Sequence, residues 1–255
     1  MNESYVKYIV ENNIGVIEFF TPQHNSLPSK ILAQLAETIV AAGFDSNSKV
    51  LILQSGGNKT FCAGASFDEL MAIENEEEGL QFFTGFAKVI NAMRQCPKFI
   101  IGRIQGKAIG GGVGLASSCD YCLATTNAEI KLSELPVGIG PFVVGPAVER
   151  KIGTTAAYEL TIDGTNFRSA QWAKQKGMFA EIFDTIELME EAVNRLSNTL
   201  ANSSSEAMYE IKKAFWKGTE NWNELLLERA AISGRMILSE YSKKFLAEFK
   251  GRMKR

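Results

Sequence analysis

Gly106-Lys107-Ala108-Ile109-Gly110-Gly111-Gly112-Val113-Gly114 is the stretch on which the fold of this chain turns. Four glycines fall within positions 110–114, after a β-like run at Phe99–Ile104 and before Leu115-Ala116-Ser117-Ser118-Cys119. Glycine has no Cβ, so its backbone N–H can closely approach a ligand oxygen. If a helix opens on this run, its unpaired N–H groups and its dipole face an anion. The same composition also serves a tight turn with close packing, and the run alone does not separate the two. A dinucleotide fingerprint, Gly112-x-Gly114-x-x-Ser117, fits poorly. The next strand-like run starts at Tyr121, too soon for a crossover helix, which takes a dozen or more residues.

Outward from that stretch, strands and helices alternate. Tyr5–Val10 and Gly15–Phe20 read as paired strands around Asn12-Asn13. Pro28 suits the first turn of a helix carrying Ile31, Leu32, Leu35, Ile39 and Val40 as far as Gly43. Val50–Gln54 is a buried strand ended by Ser55-Gly56-Gly57-Asn58, and Tyr121–Ala124 is another strand. Leu80, Phe83, Ala87, Ile90 and Met93 make an amphipathic helix that stops before Pro97. This order predicts an α/β fold. After Thr154 helical segments dominate, at Ala170–Lys176, Ile186–Ala201, Ser205–Lys217 and Trp222–Glu240. The expected division is an α/β core over residues 1–200 and a helical layer over 201–255. That layer is too thin for its own core and is expected to pack on the first part or on a neighbouring subunit. No fixed-period repeat and no low-complexity linker interrupts the chain.

Composition narrows the chemistry. The 255 residues carry 27 Lys+Arg against 29 Asp+Glu, a net charge of −2, which disfavours nucleic acid as a partner. One histidine, His24, excludes two-histidine metal sites within the chain, and no metal is expected. Four cysteines are too few for a disulfide scaffold. Met1–Asn13 does not read as a signal peptide, the C-terminus carries no peroxisomal or reticulum address, and no apolar run reaches the ~18 residues of a membrane span. A reducing cytoplasm is the expected location.

Two further segments carry candidate chemistry. Asn58-Lys59-Thr60-Phe61-Cys62-Ala63-Gly64-Ala65-Ser66 also joins a strand to a short helical stretch, Phe67–Met71. Two such turns on adjacent strands would supply two convergent N–H donors, the requirement of an oxyanion hole. The other segment, Ile130–Phe142, holds one acid, Glu134, in a Leu/Pro/Gly-rich setting. Burial there raises a carboxyl pKa toward the range of a general base, whereas on an exposed loop Glu134 would be an ordinary surface residue.

The three segments, in this order, resemble the crotonase superfamily, the enoyl-CoA hydratase/isomerase family. Phe61–Ser66 resembles its first oxyanion motif, Gly106–Gly112 followed by Cys119-Asp120 its second, and Asn25-Ser26-Leu27 the motif opening its first helix. The resemblance implies a ββα superhelix (spiral) core with a C-terminal trimerisation layer, hence a homotrimer or hexamer. It implies an acyl-CoA substrate whose thioester oxygen accepts from the amides of Ala65 and Gly111, with CoA part of the substrate and no separate cofactor. Ala63, Ser66, Phe67, Asp68, Gly114 and Phe142 fall at substrate-binding positions by the same resemblance.

The departures shape the expected reaction. The family's hydratases place one Glu three residues after the middle glycine; this chain has Gly114 there, expected to leave empty space beside Gly111. Their second Glu aligns with Glu134. Hydration divides its proton transfers between two carboxylates, whereas moving a double bond from C3 to C2 needs one base. Single-Glu members resemble Δ3,Δ2-enoyl-CoA isomerases, and Phe142 stands where the dienoyl isomerases carry a further acid. The expected function is isomerisation with Glu134, Ala65 and Gly111 as catalytic groups. A hydratase, a decarboxylase or other lyase, and a non-catalytic acyl-CoA-binding subunit remain alternatives. Ser66 replaces the Asp usual in the hydratases.

Other features have plainer readings. Cys119-Asp120-Tyr121-Cys122 has redox or zinc spacing without a second pair, so buried thiols are expected. The run Glu74, Glu76, Glu77 and Glu78 suits a helix N-terminus. Lys59 and the basic tail Lys243, Lys244, Lys250, Arg252, Lys254 and Arg255 are either solvated or meet the phosphates of CoA.

Overall fold

A computed structural model describes residues 3–253, with side chains through residue 251. In chain order the elements are β1 Tyr5–Glu11, β2 Ile14–Phe20, α1 Ser29–Phe44, β3 Val50–Ser55, β4 Thr60–Cys62, α2 Phe67–Ala72, α3 Glu76–Gln95, β5 Ile100–Ile104, β6 Lys107–Ile109, α4 Gly111–Ser118, β7 Tyr121–Thr125, β8 Ile130–Lys131, α5 Glu134–Val137, α6 Gly145–Ile152, α7 Thr154–Ile162, α8 Ala170–Gln175, β9 Glu181–Phe183, α9 Ile186–Ala201, α10 Ser205–Phe215, α11 Trp222–Met236 and α12 Glu240–Met253.

The large sheet runs β1-β2-β3-β5-β7-β9. Asn12 and Asn13, at φ 51° and 62°, make the two-residue turn that pairs β1 with β2 antiparallel. Every later pairing in both sheets is parallel. A second, small sheet runs β4-β6-β8. The chain climbs a strand of the large sheet, turns, enters the small sheet and leaves through a helix. It does so three times, from β3 to β4, from β5 to β6 and from β7 to β8, which is the ββα spiral. The turns differ in length because the long α3 lies inside the first, so the repeat has no fixed period in the sequence. The strands of the small sheet span two or three residues each, too few to carry an alternation pattern.

One face of the large sheet packs on α1 and α3 through Ile17, Phe19, Leu51 and Leu53. The other meets α9, where Met189, Ala192 and Val193 cover Val50, Ile52, Ile101 and Leu123. Helix α11 lies against α3 so closely that a side chain on Gly79 would begin 2.6 Å from the Gly234 Cα. Trp222, Leu226, Ala230 and Leu246 of the C-terminal helices, with Ile237 just after α11, belong to the same apolar cluster as the strands. None of the helices in the described residues is long and apolar enough to cross a membrane.

Candidate active site

Each strand of the small sheet ends in one candidate element. β4 runs into Ala63-Gly64-Ala65, β6 into Gly110-Gly111, and β8 reaches Glu134 three residues later. The strand order puts the glycine turn in the middle, between the first turn and the acid.

The first turn is held from outside. Leu27 N–H donates to Gly64 O at 2.7 Å and Ser66 N–H donates to Leu27 O at 3.1 Å. This parallel bridge takes the groups flanking Ala65 and turns the Ala65 amide to the opposite side. Ala63 N–H donates to His24 O at 3.2 Å; His24 itself is an exposed loop residue at φ 55°. Buried Asn25 donates from Nδ2 to Gly56 O at 2.8 Å and Thr60 O at 2.9 Å, locking the approach to β4. Gly64 has φ 89°, and a side chain there would begin 2.8 Å from Ile109 O and 3.4 Å from Gly111 N. The two glycine turns are therefore in contact.

The second turn opens α4. Gly110 is its N-cap, with φ 53°, and Gly111 and Gly112 are its first residues, so their amides have no acceptor within the helix. The close packing expected of the glycine run is present, and a helix opens on it. A side chain on Gly111 would collide with the Phe86 ring, one on Gly112 with the Cys62 carbonyl, and one on Gly114 with Val144. Close packing brings the helix N-terminus against β4 and leaves its first amides free. Gly114 departs from expectation: the space beside it is filled. A side chain at 114 would begin 2.5 Å from Val144 Cγ1 and 2.8 Å from Val144 Cβ, and Val144 is 5% exposed. Val144 comes from the loop between α5 and α6, a segment with no pattern that pairs it with position 114.

Glu134 is the first residue of α5, whose end Gly138 is left-handed at φ 93°. Its carboxyl stands beside the glycine turn, with Oε1 3.1 Å from where a Gly110 side chain would begin. The residue as a whole is partly exposed, but the carboxyl is enclosed and Oε2 has no hydrogen-bond partner among the described residues. Burial raises its pKa to about 7, and the amides of Glu134 and Ser133 only partly offset this.

The remaining expected residues spread around this centre. Ser66 caps α2, its Oγ accepting from Glu69 N–H at 3.4 Å, and Asp68, two residues on, is exposed. The Phe67 ring packs on Phe249 of α12 with centroids 4.9 Å apart. Phe142 folds back onto Gly140 in its own loop, 2.7 Å from where a side chain there would begin. Helix α12 also presses Tyr241 and Ser242 against Gly138. It thus spans from the first turn to the helix of Glu134. The i, i+4 spacing of Phe245 and Phe249 was the available signal for this packing. Lys59, Lys243 and Lys244 are exposed; the side chain of Arg252, and Lys254 and Arg255, lie outside the described residues.

Other features resolve simply. Cys119 and Cys122 are buried free thiols against Gly102, and Asn75 with Glu78 caps α3. Among the described residues no group of His, Cys, Asp and Glu could hold a metal ion. A cavity of about 600 Å3 lies at the other end of the strands, by Phe99, Asp120 and Trp216, and Glu134 does not line it. Asp120, the one carboxylate lining that cavity, already accepts hydrogen bonds on both oxygens, so the cavity holds no unpartnered acid.

Comparison with known proteins agrees with this architecture. The enoyl-CoA hydratase/isomerase family model matches residues 10–252. A Bacillus subtilis protein named as an enoyl-CoA hydratase/isomerase, YngF, is 30% identical over 224 residues, 86% of this chain and 84% of its own. The short-chain-enoyl-CoA hydratase of Clostridium acetobutylicum is 28% identical over 212 residues, 82% of this chain and 80% of its own. The ethylmalonyl-CoA decarboxylase of Gallus gallus is 31% identical over 137 residues, 53% of this chain and 46% of its own. The crystal structure of an enoyl-CoA hydratase from Bacillus halodurans superposes with a TM-score of 0.88 at 22% identity, covering 96% of this chain and all of that one, a likeness of fold. With both sheets, the glycine turns and the match over nearly its whole length in place, the chain belongs to the enoyl-CoA hydratase/isomerase family.

Proposed function

We propose that the protein is an enoyl-CoA isomerase that moves a C3–C4 double bond to C2–C3 with Glu134 as its one proton carrier. The observation that carries this reading is a buried carboxyl beside the Gly110–Gly111 turn, with no second acid at position 114. Glu134 as carboxylate takes a proton from C2 of a 3-enoyl-CoA. The C–H electron pair moves into the thioester, and the amides of Ala65 and Gly111 receive the charge developing on its oxygen. The enolate then collapses, its electrons shift the double bond, and the carboxylic acid returns the proton at C4. Each aligned donor contributes most as the charge forms, about 3–4 kcal/mol by analogy with other oxyanion sites. No cofactor beyond the CoA of the substrate enters the scheme.

Hydration is the second reading, favoured by the names of the relatives. It would require Glu134 alone to manage both the water and the proton for C2. Incubating the protein separately with 3-enoyl-CoA and 2-enoyl-CoA of several chain lengths distinguishes the two. Isomerised product from the first without hydration of the second is expected, and rapid hydration of the second overturns the proposal. No turnover of either shifts weight to decarboxylation, the activity named for the Gallus gallus relative. The same reading includes a trimer or hexamer, supported by exposed Tyr158 and Ile162 on α7, and light scattering tests it.

A further inference from the structure

We infer that Val144 determines reaction specificity, by occupying the place beside Gly114 where a second acid or a nucleophilic water would stand. The inference rests on the isomerase reading and extends it to a residue outside the three motif segments' expected roles. Gly114 and Val144 form a complementary pair, one without a side chain and one branched at Cβ. Gly114 N–H donates to Gly110 O at 3.2 Å, so position 114 sits one turn along the helix from the glycine that touches the Glu134 carboxyl. Val144 itself is fixed as the N-cap of α6, its carbonyl accepting from Val148 N–H at 3.0 Å.

The physical consequence follows from what an isopropyl group cannot do. It neither donates nor accepts a hydrogen bond, and it leaves no room for a water with the two or more polar partners that water needs. Hydration requires an oxygen delivered to C3 and a proton to C2. With the place beside Gly114 filled by hydrocarbon, Glu134 is left with proton transfer between two carbons of the substrate. The branched side chain thus removes a competing reaction without touching the base.

Five variants test this. G114A alone is expected to lower the melting temperature, because its Cβ meets Val144, and V144G/G114A is expected to recover it. An unperturbed G114A would show that Val144 does not fill the space, and would overturn the inference without any assay. Next, V144A and V144G are assayed on both substrates. The ratio of hydration to isomerisation is expected to rise about tenfold or more, the scale of discrimination one or two methyl groups supply. A purely structural role would lower both activities together and leave the ratio unmoved, which also overturns the inference. Finally, V144G/G114E restores a second carboxylate and is expected to gain hydration of 2-enoyl-CoA by about 100-fold. A folded V144G/G114E that hydrates no faster than wild type counts against the inference. Failure of the isomerase reading is recognised separately, on wild type. If wild type turns over neither substrate, that reading falls, yet a gain of hydration in V144G/G114E still upholds Val144 as the excluding group. If wild type hydrates rapidly, both fall.

Discussion

Two carboxylates lie at opposite ends of the parallel strands, and their surroundings differ in almost every respect. Asp120, at the start of β7, is answered on all sides. Its Oδ2 pairs with Lys212 Nζ at 2.9 Å and accepts from Ile100 N–H at 2.8 Å, and its Oδ1 accepts from Trp216 Nε1 at 3.0 Å. Lys212, its side chain 3% exposed, is equally satisfied by the carbonyls of Met93 and Lys98 at 3.0 and 2.8 Å. Among the described residues no cation acts on Glu134, and one of its oxygens has no partner. A charge that is fully paired holds elements together: this one ties β5, β7, α3 and α10. A carboxyl that is buried without a cation has a proton affinity near neutrality, which suits it to exchange a proton. The difference teaches that burial alone does not mark a reactive acid; missing partners do.

The largest effect expected from breaking this contrast is in the rate. Replacing Glu134 by Gln keeps the shape and removes the base. On the proposed function, isomerisation should fall by about 100- to 10,000-fold, with the melting temperature retained or raised. In wild type, kcat/KM should rise with pH through about 7, as the buried carboxyl ionises. Full activity in E134Q, or a rate flat from pH 5 to 9, would show that Glu134 is not the proton carrier.

The reciprocal substitution, Asp120→Asn, should hardly touch chemistry and should strongly affect stability. It strands the buried Lys212 charge, a loss of about 3–5 kcal/mol for a broken buried pair. Denaturant unfolding measures it. A stable D120N with impaired kcat would reverse the roles assigned to the two acids.

Stability against pH sharpens the same comparison. The folded pKa of Glu134, about 7, lies above its ordinary value of 4.5. The folded state therefore holds the proton more tightly than the unfolded chain. Its favourable contribution is complete below about pH 4.5 and is lost as pH rises through 7. E134Q has no such loss, so at pH 8 it should be the more stable protein, by on the order of 3 kcal/mol. Near pH 5 the two should converge. Melting curves of both proteins at the two pH values check this, and equal curves at pH 8 would mean the carboxyl is more solvated than its surroundings indicate.

The contrast also explains what a linear reading can reach. The glycine run, the first turn and Glu134 are local segments whose residue types carry their geometry, so they were legible. So were β1–β3, β5, β7 and most of the helices, from periodicity and from stops such as Pro97. The small sheet was not, because strands of two or three residues make no pattern, although it is what brings the three segments side by side. The Asp120–Lys212 pair joins residues far apart in the chain through an ordinary acid and an ordinary lysine. Val144 is one apolar residue among several in its loop. Its importance comes from a glycine on another helix, and the expectation of empty space at Gly114 failed for that reason.

The smallest expected effect tests how the first turn is held. Ser66 is the N-cap of α2, but its bond to Glu69 N–H is long, 3.4 Å. Glu69 is held independently, accepting from Ser29 N–H at 2.8 Å and Ser29 Oγ at 2.6 Å, which links α2 to α1. The bridge between Leu27 and Ala65 is made by backbone alone. Ser66→Ala should therefore cost no more than about 1 kcal/mol, the scale of an N-cap, and leave kcat close to wild type. The backbone bridge sets the direction of the Ala65 amide, and no side chain of the turn can do so in its place. A large drop in kcat for S66A, with stability little changed, would mean that the hydroxyl orients either the turn or the substrate. The oxyanion end would then depend on a polar partner as much as the Asp120 end does.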